Sequence, residues 1–256
     1  MPSEDSLPGL PVDWAAPPAV RAFMSTRAGG VSLAPYDSLN LARGVGDEPA
    51  AVAENRRRIA QAIGAQPAWL RQVHGASVVD AAEALAAQEP PAADASFTCE
   101  PGVACVVMVA DCLPVLFAAS NAKAVGAAHA GWRGLAAGVL ENTLAAVAAS
   151  AGCDRSEVIA WLGPCIGPRQ FEVGDDVREA FGAAAEPHFR PHRRQDGSAA
   201  WLADLPGLAR QRLAACGVLS VSGGCWCTVE DESRFFSYRR LRVSGRMAAG
   251  IALLGP

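Results

Sequence analysis

One stretch limits the architectures open to this 256-residue chain more than any other: residues 102–119 are apolar almost throughout, yet carry Asp111 and Pro114 at their middle. The run is nearly long enough to span a bilayer, but hydrocarbon would penalise the carboxylate by roughly 3 kcal/mol. It reads instead as two buried strands, 103–109 and 115–118, joined by a turn. Unbroken runs such as Val106-Val107-Met108-Val109 predict strands covered on both faces. A charge at such a strand end is costly unless it is paired or lies near a metal, so the turn holding Asp111 and Cys112 is a place to look for chemistry.

Around that pair, apolar residues recurring at three and four positions predict helices over 48–63, 134–149 and 205–215. Further strands are expected over 22–25, 78–80, 124–128, 158–162 and 218–221. The Ala/Pro-rich 81–93 suggests a helix followed by a loop, and 183–199, with Pro187, Pro191 and Gly197, an exposed excursion. The expected fold class is α/β (α+β): a single domain over residues 1–256, with mixed β-sheets layered with helices and an irregular extension at 1–18.

A hydrophobic content of 51% allows a large core. Twenty-two basic against 26 acidic residues give a net charge of -4, which offers nothing to nucleic acid or an anionic membrane and leaves small molecules as the expected ligands. With no heptad or exposed apolar stripe, a monomer is expected. The start Met1-Pro2-Ser3-Glu4-Asp5 lacks the basic residues and apolar core of a secretory signal, so a cytoplasmic location is expected. The eight cysteines lack the density of a disulfide scaffold and read mostly as reduced thiols. Cys225-Trp226-Cys227 is C-x-C rather than C-x-x-C, which weakens a redox reading.

Two of the four histidines sit like Cys112, at places where an apolar segment ends or turns. His129 ends the strand-like run before Ala130-Gly131-Trp132-Arg133-Gly134, and His74 lies in Gln72-Val73-His74-Gly75, where Gly75 permits a hairpin-like bend. Taken singly, His74 reads first as a turn histidine and Cys112 as an inert buried thiol. Together, two imidazoles and a thiolate are what a catalytic zinc needs, with a fourth position left open. Two rival roles use the same atoms. Cys112 paired with either histidine would make a Cys/His hydrolase, whereas a non-catalytic zinc protein would close the site with Cys165 or Cys227.

Other polar islands carry less. Arg133, beside glycines at a helix start, favours an anion but would equally pair with a structural carboxylate. Asn40 and Arg56 are candidates for substrate contact, though Arg56-Arg57-Arg58 also suits a solvated helix face. Phe235-Phe236-Ser237-Tyr238-Arg239-Arg240 mixes aromatics and cations, as a ring-stacking site or a core-edge strand would. His188 and His192 read as loop residues, not ligands.

Over nearly its whole length the chain resembles the YfiH family, also called DUF152, the laccase-like multicopper polyphenol oxidases or the peptidoglycan editing factor group. The resemblance rests on Ser38-Leu39-Asn40-Leu41, Asn55-Arg56, Gln72-Val73-His74-Gly75, Ala110-Asp111-Cys112-Leu113-Pro114, Ala128-His129-Ala130-Gly131-Trp132-Arg133-Gly134, Leu162-Gly163-Pro164-Cys165-Ile166-Gly167-Pro168, Phe171-Glu172-Val173-Gly174 and Phe235-Phe236-Ser237-Tyr238-Arg239. It implies a zinc ion on His74, Cys112 and His129, with purine nucleosides and phosphate as partners. The implied reactions are phosphorolysis of adenosine, inosine and methylthioadenosine, and deamination of adenosine. Copper is the disfavoured metal, because four histidines cannot supply a multicopper set. Asp111 is then the expected acid/base, since no Glu stands two residues after either histidine as it does in cytidine-type deaminases. Arg56 and Arg133 are the expected phosphate cations, with Asn40 and Gln72 as hydrogen-bonding partners. The editing-factor name implies the Cys/His alternative, an amidase acting on a peptidoglycan precursor.

Overall fold

The computed structural model describes residues 9–255. The apolar run becomes two strands, β6 (Val103–Val109) and β7 (Leu113–Ala119), that lie in different sheets. β6 belongs to a five-stranded sheet ordered β1 (Gly9–Leu10), β2 (Val20–Ser25), β14 (Met247–Leu253), β6 and β3 (Gln66–Ala68), antiparallel except for the β3–β6 pair. β7 is central in a six-stranded sheet ordered β13 (Val221–Gly223), β9 (Val158–Leu162), β7, β8 (Val125–Ala130), β5 (Ala95–Thr98) and β4 (Val78–Asp80), whose two outer pairs are parallel. The turn at Asp111 thus carries the chain from one sheet to the other.

The layers explain the unbroken runs. Leu116 and Ala118 of β7 face Cys105, Val107, Met247, Ala249 and Ile251 of the five-stranded sheet, so the two sheets pack face to face. Val115 and Phe117 point the other way, toward α4 (Val139–Ala151), against which α6 (Leu205–Ala215) packs. On the far side, Ala104, Val106, Ala248 and Ala252 are covered by Ile59 and Ile63 of α1 (Pro49–Ile63). All seven residues of β7 are buried, and side chains on both of its faces meet apolar layers. Full burial of a side chain such as Phe117 stabilises by about 1.5–3 kcal/mol. The chain is a single domain of mixed sheets and helices.

Helix α1 starts at Pro49, whose missing N–H is harmless in a first turn, and stops at Gly64 with φ 72°. Its buried stripe is Val52, Asn55, Ile59 and Ile63. The helix expected over 134–149 divides into α3 (Trp132–Ala136) and α4, because Gly138, at φ 93°, breaks the path between them. The 81–93 segment forms α2 (Ala81–Ala86) and then a loop. The strand expected over 218–221 begins only at Val221, where the chain comes alongside Ala160 of β9.

Two further expectations change. Residues 183–199 are not an excursion: β11 (Phe189–Arg193) pairs with β12 (Ala199–Ala203), which pairs with β10 (Glu172–Val173) in a small third sheet beside α5 (Asp175–Phe181). Of the extension expected at 1–18, residues 1–8 lie outside the described part, while Gly9 and Leu10 pair with Ser25 and Met24.

Candidate metal centre and the cavity beside it

Three sequence-distant residues meet at one end of the six-stranded sheet. Cys112 immediately precedes β7, and His129 lies on β8 opposite Pro114 of β7. His74 does not end a hairpin. Its flanking strands β3 and β4 are in different sheets, and it sits at φ 61° in the segment crossing between them. One donor atom from each of the three lies within 4.8 Å of the others. A tetrahedral zinc with bonds of about 2.0–2.3 Å would place its ligands about 3.3–3.6 Å apart, a difference that side-chain rotation covers.

Asp94 organises this group. Its Oδ1 faces His129 Nδ1 at 2.8 Å and accepts the His74 amide at 2.9 Å. Its Oδ2 accepts the amides of Val73 at 3.1 Å and Gly75 at 2.7 Å. With the carboxylate ionised, Nδ1 of His129 carries the proton and Nε2 is left with a lone pair for a metal. Space is made by Gly131, where a Cβ would stand 3.0 Å from both Cys112 Sγ and His74 Cδ2. Gly134 has a parallel role, since a Cβ there would stand 2.6 Å from the Gly75 carbonyl. The glycines noticed in the sequence thus admit neighbouring protein atoms. A soft thiolate, two imidazoles, a carboxylate behind one of them and a cradle that a methyl group would fill together suit a metal ion.

The charges are strongly coupled. Burial alone would push the Cys112 thiol up, but the His129 charge and hydrogen bonds from both histidines bring it down to about 6. Burial opposes the His129 charge, but the Cys112 thiolate and Asp94 hold its pKa up at about 9. Asp94 is buried, yet its bonds to His129 and the backbone amides pull its pKa below the ordinary carboxylate value.

A cavity of about 840 Å³ opens beside the three, within the range of small-molecule sites. Asp111 lines it at φ 85°, with Oδ1 accepting from Thr228 Oγ1 at 2.5 Å and Oδ2 from the Arg239 amide at 2.6 Å. Arg56 lines it too. It donates to the Leu41 carbonyl, stacks 4.0 Å over Trp69 and has no carboxylate partner among the described residues. Burial lowers its pKa to about 10. Gln72 is on the wall with both ends of its amide engaged by the Met108 backbone, each at 2.8 Å.

Two candidates stand elsewhere. Asn40 is fully buried, with its amide taken by Ala42, Asp47 and the Arg246 N–H. Arg133 is exposed, 4.3 Å over the Trp132 ring and outside the cavity lining. His192 lies 3.3 Å from Glu172 in the small sheet. Phe235 and Phe236 are core residues, whereas Tyr238 and Arg239 reach the cavity. Among the described residues the donor group has three members, Cys165 and Cys227 not among them, and every cysteine is free. Sequence reasoning missed Asp94. The one available signal for Asp94 was a lone carboxylate in Ala92-Ala93-Asp94-Ala95.

A family model described as "Multi-copper polyphenol oxidoreductase laccase" matches residues 21–254. A Pseudomonas aeruginosa protein named purine nucleoside phosphorylase PA4543 is 51% identical over 243 residues, covering 94% of this chain and 96% of that protein. Purine nucleoside phosphorylase YfiH of Escherichia coli is 50% identical over 248 residues, with 94% and 97% covered. The crystal structure of Neisseria meningitidis NMB0706, described as DUF152, gives a TM-score of 0.90 at 49% identity over 96% of this chain and 99% of that one. YlmD from Geobacillus stearothermophilus gives 0.81 at 32% identity over 93% of each.

Proposed function

Because the chain belongs to the YfiH (DUF152) family, the one whose model carries the laccase description, we propose that it is a zinc-dependent purine nucleoside enzyme. Its reactions on this reading are phosphorolysis of adenosine, inosine and methylthioadenosine, and deamination of adenosine. The observation that carries the reading is the convergence of His74, Cys112 and His129 on the wall of a cavity large enough for a nucleoside. The names of the relatives at about 50% identity support phosphorolysis. Zinc is favoured over copper by the single three-donor group, since only His188 and His192 remain as histidines and His192 is turned to Glu172.

His74, Cys112 and His129 would hold the ion, and a bound zinc supplies a Lewis acid without redox chemistry. Asp94 keeps His129 in the tautomer that presents Nε2. The rings of Trp69, Trp132, Phe171 and Tyr238 line the cavity and supply apolar surface for a purine. In phosphorolysis a phosphate oxygen bonds to the anomeric carbon as the glycosidic bond breaks, and the electron pair leaves with the base, which takes a proton. In deamination water adds at the amino-bearing ring carbon and ammonia leaves, so one proton passes from water to the departing nitrogen. Asp111 is the group assigned to these transfers. Thr228 and Arg239 each fix one of its oxygens, leaving a lone pair on each for the cavity.

A second reading is favoured by one observation: the closeness of the Cys112 sulfur to the His129 imidazole also fits a Cys/His hydrolase. Mass-spectrometric analysis of adenosine incubated with zinc-loaded protein, with and without phosphate and beside Cys112→Ala, separates the two. Adenine formed only with phosphate, or inosine formed with or without it, both lost in the variant and on chelation, is expected. No turnover of adenosine under any of these conditions overturns the first reading.

A further inference from the structure

The cavity wall holds a cation whose counter-charge is missing. Arg246 precedes β14 and faces the same cavity as Cys112 and Asp111. Its backbone is fixed at both ends: the N–H donates to Asn40 Oδ1 at 3.0 Å, and the carbonyl accepts from Leu41 N at 3.1 Å. Asn40 is itself clamped by Ala42 and Asp47, so a buried amide holds Arg246 in register. The guanidinium is braced along one edge only. Nη1 donates to the carbonyls of Ser244 at 2.8 Å and Gly245 at 3.0 Å, and the group lies 5.6 Å over the Tyr238 ring. Among the described residues, Nε and Nη2 have no acceptor and no carboxylate forms an ion pair with Arg246.

Arg246 is half-buried and lines the cavity, and its Nε/Nη2 edge, without an ion-pair partner, stays accessible to an incoming group. The arrangement is accounted for if the partner is an anion that enters the cavity. The unused Nε/Nη2 edge presents two parallel donors, the fork that matches two oxygens of a phosphate group. The surroundings agree in sign: Arg43, Arg56, Arg71 and Arg239 also line the cavity, against Glu89 and Asp111, although the whole chain carries a net charge of -4. A carboxylate ligand would satisfy the fork as well, but this excess of cations is better suited to a dianion.

We propose that Arg246 anchors a phosphate subsite beside the His74/Cys112/His129 group, with Asn40 as the residue that positions it. The inference rests on the phosphorylase reading only for the source of the phosphate. Under that reading it is free orthophosphate, held where it can meet the anomeric carbon. Otherwise it is the phosphate ester of a nucleotide.

The test is calorimetric titration of the zinc-loaded protein with inorganic phosphate and, separately, with adenosine 5′-monophosphate, in wild type, Arg246→Gln and Arg246→Lys, beside steady-state adenosine cleavage. Loss of a charge-assisted bidentate contact weakens binding by about ten- to a hundredfold. The dissociation constant and KM for phosphate are expected to rise by that factor in Arg246→Gln, with KM for adenosine changed less than twofold. Arg246→Lys, which keeps the charge but not the fork, should fall between. Should Arg246→Gln fail to fold, the lysine variant alone must still weaken phosphate binding. Arg246-dependent phosphate binding without nucleoside cleavage retains the subsite and defeats the phosphorylase reading. Binding of the nucleotide alone, lost in Arg246→Gln, retains the subsite with an ester as its ligand. Equal affinities in wild type and variants, or no binding of either compound, overturn the proposal.

Discussion

Cys112 is the residue whose chemistry is most changed by its surroundings. In the metal-free protein its thiol titrates at about 6, because the gain from His129 and His74 exceeds the penalty of burial. The group whose pKa is lowered is charged above that value, and His129, held at about 9, remains protonated there. Between about pH 6 and 9 the two form a thiolate–imidazolium pair. Alkylation by iodoacetamide, followed by peptide mass spectrometry, should therefore rise through pH 6 and level off by pH 7. Buried Cys105, pushed up to about 12, and Cys165, pushed well above its ordinary value, should stay unmodified. Zinc should protect Cys112. A midpoint near 9 would show that the histidines do not act on it. At this scale, His74, Cys112 and His129 were legible in the sequence because each interrupts or ends an apolar segment. Asp94 was not, since nothing local says that four donors converge on one carboxylate.

Asp94 acts between elements, joining the crossing segment that bears His74 to β8 that bears His129. All four of its partners are donors, so Asp94→Asn puts an amide NH₂ against N–H groups and leaves at least one of them unsatisfied. Outer partners of this kind typically contribute 10–100-fold to metal affinity. Competition with a chromophoric chelator should show a loss of about that size in Asp94→Asn, and an unchanged affinity would remove Asp94 from its positioning role. The strands themselves were readable from hydrophobic runs, but their sheet membership was not: period and composition are the same for a strand in either sheet. That is why His74 looked like a hairpin residue. β11 escaped detection because Phe189-Arg190-Pro191-His192-Arg193 has the polar, proline-bearing composition of a loop, yet as an edge strand of an exposed sheet it needs no apolar run. Helix α3 separates from α4 at a single glycine.

For the molecule as a whole, an ion at the three donors would tie β7 and β8 to the segment crossing between the two large sheets. A ligand bound only by the native state at a hundred times its dissociation constant adds about 2.7 kcal/mol of stability. In a protein of this size that corresponds to a rise in Tm of about 5–10 °C. Calorimetry with zinc and then with excess EDTA should show the rise and its reversal in wild type and neither in Cys112→Ala. Equal melting points with and without zinc would show that the native state does not hold it.

β14 lies between β2 and β6, so Val20 pairs with Leu253. Joining β7 to β8 closes a loop of a few residues, whereas joining β2 to β14 closes one of more than two hundred, at about 3 kcal/mol more in chain entropy. Refolding is therefore expected to have an early and a late half. The short-range pairing that brings Cys112 to His129 comes first, and the wall bearing Arg246 is assembled only when the two distant ends of the chain find each other. A refolding chain should bring Cys112 to His129 before it completes the grip on its anion.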